Sequence, residues 1–134
     1  MKLRFRNFSR CFEVEGGLPK SILITSSGPG EGKTTTGVNI GRHFANIGMK
    51  VLIMDCDLRK PRMHSMFSKS NDVGVSSVLA GHCSAGDALH ITDHPNLALL
   101  TSGPLPPNPS ELLSGVRFDV LIETASTRFD LVII

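Results

Sequence analysis

Three glycines at alternate positions, Gly28, Gly30 and Gly32, stand directly before Lys33, Thr34 and Thr35. Glycines lacking Cβ let consecutive backbone amides converge on a small anion, a lysine sets a compact positive charge beside it, and a hydroxyl can reach a hard cation. The segment Ser27-Gly-Pro-Gly-Glu-Gly-Lys-Thr34 fits the phosphate-binding pattern G-x-x-x-x-G-K-[ST] at every position but the first, where serine stands for glycine. It predicts that Gly28, Pro29, Gly30, Glu31, Gly32, Lys33, Thr34 and Thr35 hold the phosphates of ATP. Lys33 would serve the β and γ phosphates, and Thr34 a bridging Mg2+ ion. The plainer alternative is a ligand-free strand-to-helix turn; the order of strand, loop and helix argues against it.

A second group with chemistry is Asp55-Cys-Asp57, at the end of an apolar run. Alternate residues of an extended segment share a side, so both carboxylates can face one magnesium ion and the phosphates. Capping of the next turn is the simpler role for either. Arg59, Lys60 and Arg62 follow and are suited to steering a nucleotide or an acidic partner, or to forming a solvated basic face. His43, His64, His82, His90 and His94 show no metal-ligand spacing. Cys56, as a strand residue between the aspartates, is expected to point into the core.

These groups need a scaffold. Ser21–Thr25 reads as a buried strand ended by glycines, and Lys33 to about Gly48 as an amphipathic helix with Ile40, Phe44 and Ile47 on one face and Gly48 as its stop. Lys50–Asp55 is a second strand, so the first half is a right-handed strand-helix-strand crossover, which requires a parallel sheet. Asp57–Asp72 is a polar excursion with a turn of helix near Met63–Phe67. Short helices follow at Ser76–Leu79 and Ala85–His90, and a third strand at Asn96–Thr101. Pro104, Pro106, Pro107 and Pro109 impose an extended loop. A helix broken near Gly115 runs to about Thr127, and Phe129–Ile134 begins a fourth strand. The expected fold class is α/β, a three-layer P-loop NTPase-like arrangement with a mainly parallel sheet.

Bulk properties narrow the possibilities. The chain has 134 residues, one domain's worth, and a net charge of +2 without a block of one sign able to track nucleic acid. Cys11, Cys56 and Cys83 are odd in number and unpaired in spacing, which fits a reducing cytoplasm. No apolar run approaches the roughly 18 residues needed to span a bilayer. The chain contains neither tyrosine nor tryptophan.

With these motifs in place, the chain resembles the catalytic domain of bacterial tyrosine kinases, the autokinases of exopolysaccharide and capsule biosynthesis related to the deviant Walker A ATPases. Thr25–Thr35 is similar to their Walker A loop and Val51–Arg59 to their Walker A′ motif. Gly16–Lys20, Gly74–Gly81 and Gly103–Leu113 also look like family sequence in the right order, so the likeness covers residues 16–134. It implies phosphoryl transfer from ATP to tyrosines in the tail of a neighbouring subunit. The setting implied is a ring oligomer at the cytoplasmic face of the inner membrane, with a membrane polysaccharide co-polymerase as partner or fused domain. In that scheme Lys33 and Thr34 hold phosphates and magnesium and Asp57 helps bind the metal. Asp55 binds the metal through water or accepts the tyrosine proton.

The chain departs from the pattern where the apolar strand Leu131–Ile134 reaches the end without the Walker B aspartate, which Asp130 cannot replace. The tyrosine tail is lacking as well, and residues 1–15 form an extension without the family's glutamate-and-arginine oligomerisation motif. The expectation is therefore a partial kinase domain that binds ATP with weak or absent turnover by itself. Two alternatives are a partitioning or division-site ATPase, whose signature lysine would stand where Gly28 does, and a non-catalytic interaction module.

Overall fold

Aliphatic and β-branched runs with both faces to bury build the centre of the protein. The computed structural model describes residues 2–5, 19–25 and 32–134. Among them, β1 (Lys2–Phe5), β2 (Ser21–Thr25), β3 (Val51–Met54), β4 (Leu89–Ile91), β5 (Leu97–Leu100) and β6 (Leu131–Ile133) form one sheet in the order β1-β2-β6-β3-β5-β4. β2, β6, β3 and β5 run parallel, as expected from the sequence, while β1 and β4 pair antiparallel at the two edges. Ile134 extends the β2–β6 ladder: its N–H donates to the Ile22 carbonyl and its carbonyl accepts from Ile24 N–H, both at 2.8 Å.

Alternation along each strand divides the core in two. Val51 and Ile53, Leu97 and Leu99, and Leu131 and Ile133 face a layer that includes α1 (Lys33–Asn46) and Met63 of α2 (Met63–Met66). Leu52 and Met54, Ala98 and Leu100, and Val132 face α3 (Val75–Leu79), α4 (Ala85–Ala88) and α6 (Val116–Arg128). Every residue of β3, β5 and β6 is buried, as parallel strands covered on both faces require. A short helix, α5 (Pro109–Leu113), follows the proline-rich loop, and Gly115 separates it from α6.

Three details differ from expectation. The buried stripe of α1 is Gly37, Val38, Gly41 and Ala45; Ile40 and Phe44 are half-buried and Ile47 is 63% exposed. A Cβ on Gly41 would stand 2.7 Å from Cδ1 of Ile53, so the helix comes close to the sheet by presenting glycine, and its larger residues sit to the side. The helix expected through His90 ends at Ala88, where a Ser84–Asp87 capping box closes one turn, and Leu89–Ile91 becomes an edge strand on β5. A strand at Lys2–Phe5 has no forecast in the sequence pattern. Gly48 does stop α1: at φ 94° its N–H reaches Ala45 O while Met49 N–H reaches Phe44 O, the Schellman pair.

Candidate functional site

The parallel strands bring their carboxyl ends to one edge, the place where open α/β sheets bind ligands. There β3 delivers Asp55, which is 5% exposed and held by two backbone donors. Asp57 N–H donates to its Oδ1 and Met63 N–H to its Oδ2, each at 3.1 Å. Asp57 stands further out. Its Oδ1 accepts from Lys60 N–H at 3.0 Å and Arg59 N–H at 3.3 Å, and its Oδ2 lies 3.4 Å from Nζ of Lys33. The first residue of α1 and the loop after β3 are thereby joined across the cleft.

The two carboxyls have opposite electrostatics. Burial pushes Asp55 above the ordinary carboxylate value and outweighs the amide donors of Met63 and Asp57, which pull the other way; the neighbouring Asp57 charge adds a smaller upward push. Burial also acts on Asp57, but the amides of Lys60 and Arg59 together with the Lys33 ammonium outweigh it and hold that group below the ordinary value. Cys56, packed against the core between them, has its thiol pushed up to about 12 by burial and by the Asp55 charge, so it is inert as a nucleophile.

Gly32, at φ 77°, turns the chain into α1 in a conformation that glycine adopts freely. It offers no side-chain cap, and the first turn of α1 contains no acidic residue, so the positive end of the helix dipole is uncompensated by its own sequence and suits an anion. Gly28, Pro29, Gly30 and Glu31 lie outside the described residues. Lys33 and Thr34 both line a cleft of about 420 Å³ together with Asp55, Asp57 and Arg59. Thr35 is exposed on α1 and does not line it. A hydroxyl and two carboxylates are hard oxygen donors, the set that magnesium takes beside phosphates. Among the described residues no cluster of three or more His, Cys, Asp and Glu side chains forms a separate metal site.

Asp130 lies at the other end of the parallel strands, just before β6. It caps the start of β3, with its Oδ2 accepting from Lys50 N–H at 2.8 Å, which agrees with its exclusion from the nucleotide site.

Beside residues of the sheet such as Ile24 and Ile133, the cleft takes in residues that motif reasoning did not single out: Pro109, Ser110 and Leu113 of α5, and Phe118 of α6. They are set by a buried clasp after β5. Gly103 N–H donates to Asn71 Oδ1 at 2.8 Å, and the Asn71 amide donates to Ser102 Oγ at 3.0 Å and to the Gly103 carbonyl at 3.1 Å. Thr101 and Ser102 are wholly buried, with Val75 and Ser76 amides donating to their carbonyls at 2.8 and 2.9 Å. Ser76 Oγ donates to the Pro104 carbonyl. The family-like segments Gly74–Gly81 and Gly103–Leu113 meet here, and their joint occurrence was the signal available in the sequence.

A family model described as "AAA domain" matches residues 19–134. Among curated proteins, tyrosine-protein kinase YwqD of Bacillus subtilis is 47% identical over 114 residues, covering 85% of this chain and 48% of that protein. Among solved structures, the chimerical protein CapA2B2 superposes with a TM-score of 0.86 at 40% identity, covering 92% of this chain and 54% of that one. Cobyrinic acid a,c-diamide synthase from Mycobacterium smegmatis, solved with a bound ATP analogue and magnesium, superposes at 0.73 with 25% identity, covering 85% and 49%. The chain spans about half the length of the curated relatives it matches. With the match over nearly all of its length and a parallel α/β sheet that carries Lys33 and Asp57 to one cleft, the chain belongs to the AAA domain family, and its homologues are bacterial tyrosine-protein kinases.

Proposed function

We propose that this chain is the ATP-binding part of a bacterial protein tyrosine kinase of capsule and exopolysaccharide biosynthesis. The observation that carries this reading is the 3.4 Å contact between Lys33 Nζ and Asp57 Oδ2, which joins the helix start to the Asp-Cys-Asp turn in one cleft. The kinase names of the curated relatives support it over a division-site ATPase switch.

Lys33, the backbone amides of Gly28, Gly30 and Gly32 and the start of α1 hold the phosphates, with Pro29, Glu31 and Thr35 completing the loop. Thr34 and Asp57 are the ligands offered to Mg2+, whose charge, when bound, offsets that developing on the phosphate oxygens. Asp57 suits this role because Lys33 and two amides keep it ionised. Asp55, whose proton affinity is raised, accepts the phenolic proton or holds the metal through water. The phenol oxygen bonds to the γ-phosphorus as the bond to the β,γ-bridging oxygen breaks, ADP leaves with that electron pair, and the proton passes to the carboxylate. The acceptor is a tyrosine-rich tail of another subunit in a homo-oligomer. Assembly takes place at the cytoplasmic face of the bacterial inner membrane, with a membrane polysaccharide co-polymerase, or a fused membrane domain, as partner. Among the described residues no helix is long and apolar enough to cross a membrane.

The direct test is Mg2+-dependent ATP binding by calorimetry. Lys33→Ala should weaken it at least about tenfold through loss of a charge-assisted phosphate contact. Equal affinity in the two proteins would reject the ATP site.

A further inference from the structure

The cleft has two unlike sides. One is polar and charged: Lys33, Thr34, Asp55 and Asp57. The other is apolar and includes Pro109 and Leu113 from α5 and Phe118 from α6, beside sheet residues such as Ile24 and Ile133. Leu113 and Phe118 pack against the core yet are only half-buried, so each keeps apolar surface that the fold itself does not cover.

We propose that Pro109, Leu113 and Phe118 form the shelf that receives the aromatic ring of the acceptor tyrosine and so restrict the reaction to phenols. This rests on the phosphoryl-transfer reading above and adds the residues that select the acceptor. A tyrosyl group has the same two-sided character as the cleft: an apolar ring for the shelf and a hydroxyl at its tip for the carboxylates. A serine or threonine hydroxyl sits on a stem too short to touch the shelf and the Asp55–Asp57 turn together. The adenine ring is a poor occupant for this place, because a ribose and a triphosphate separate it from the γ-phosphate that Lys33 and the aspartates attend. The chain contains no tyrosine, so the ring on the shelf belongs to another molecule or another segment. The clasp of Asn71 on Ser102 and Gly103 holds the start of the loop that leads to the shelf, in the cleft that the charged residues also line.

The experiment uses the full chain with Mg2+ and a non-hydrolysable ATP analogue, measuring the anisotropy of a labelled synthetic tyrosine peptide and of its serine counterpart. The tyrosine peptide should bind, the serine peptide at least about tenfold more weakly. Phe118→Ala with Leu113→Ala should weaken the tyrosine peptide about tenfold or more while affinity for the analogue stays within about twofold. Phe118→Leu with Leu113→Met, which keeps the apolar surface, should restore most of the peptide affinity and controls for folding. A tenfold loss of analogue affinity in the alanine variant would assign the shelf to the base and overturn the proposal. Unchanged peptide binding, equal binding of the two peptides, or no peptide binding by the unmodified chain would also overturn it. These outcomes are separate from failure of the ATP site itself, which shows as analogue binding insensitive to Lys33→Ala.

Discussion

The loop after β3 and the loop after β5 leave the sheet side by side at the same edge, yet they satisfy their polar groups in different ways. After β5, Thr101, Ser102 and Gly103 turn inward, and their donors and acceptors are matched by Asn71, Val73, Val75 and Ser76 within the protein. After β3, Asp55 is held by amides, but Asp57, Arg59, Lys60 and Arg62 carry charge outward, and the link between Lys33 and Asp57 is partly open to solvent. A closed network gives a rigid frame, whereas charge kept near water is available for a charged ligand. The comparison teaches that stability and binding are assigned to adjacent loops, and substitutions should separate them.

The largest expected effect lies in the β5 loop. A Cβ on Gly74 would stand 2.2 Å from the Thr101 carbonyl oxygen and 2.3 Å from the Gly103 nitrogen, both backbone atoms with no free rotor to move aside. Gly74→Ala should therefore cost about 3 kcal/mol in urea unfolding. A loss below about 1 kcal/mol would break the picture of a rigid frame.

Next is Asn71→Ala, which leaves Gly103 N–H and the Ser102 hydroxyl without their amide partner. Unsatisfied buried groups of this kind cost about 2 kcal/mol together, readable in the same unfolding experiment. Rescue by Asn71→Asp, which restores the acceptor for Gly103 N–H and Ser102 Oγ but not the amide donor, should be partial.

The smallest stability effect falls on the β3 loop. Asp57→Asn should cost no more than about 1 kcal/mol at neutral pH, as expected for a half-exposed ion pair, while weakening Mg2+-dependent nucleotide binding. Its pH dependence has a definite sign. Because the folded protein holds Asp57 below the ordinary 3.8, its contribution is fully present above that value and disappears as the pH falls through the folded value. Asp55 acts in the other direction: its raised proton affinity makes stability fall as pH rises above 3.8, until the group is ionised. Urea midpoints of the Asp57→Asn variant and the unmodified protein should converge at acid pH. A gap that stays constant there would show that Asp57 acts through packing and not through charge.

Much of the frame was legible in the chain. Four apolar runs bounded by glycine, asparagine and aspartate became the four parallel strands, because a strand covered on both faces needs an unbroken apolar run. The breaks at Gly48 and Gly115 appeared where their residue types placed them. Lys33 and the two aspartates were legible as well, since phosphate and magnesium chemistry restricts both residue type and spacing. Other features depended on neighbours distant in sequence. The buried side of α1 is a stripe of small residues around Gly37 and Gly41, which hydrophobic periodicity misses because Gly41 contributes close approach to Ile53 and not apolar area. Leu89–Ile91 is too short for any pattern and is a strand because β5 presents an open edge to pair with. Asn71 resembles any loop asparagine until Ser102 and Gly103 fold against it.

By itself, then, the sequence determined which groups can meet a triphosphate and the order of the strands along the chain that carries them. Only the tertiary structure decided that Lys33 lies beside Asp57 and not Asp55, that the two carboxyls shift in opposite directions, and that Leu113 and Phe118 line the same cleft. Burial, charge proximity and cleft shape arise between segments tens of residues apart, whereas motif spacing is a property of consecutive residues.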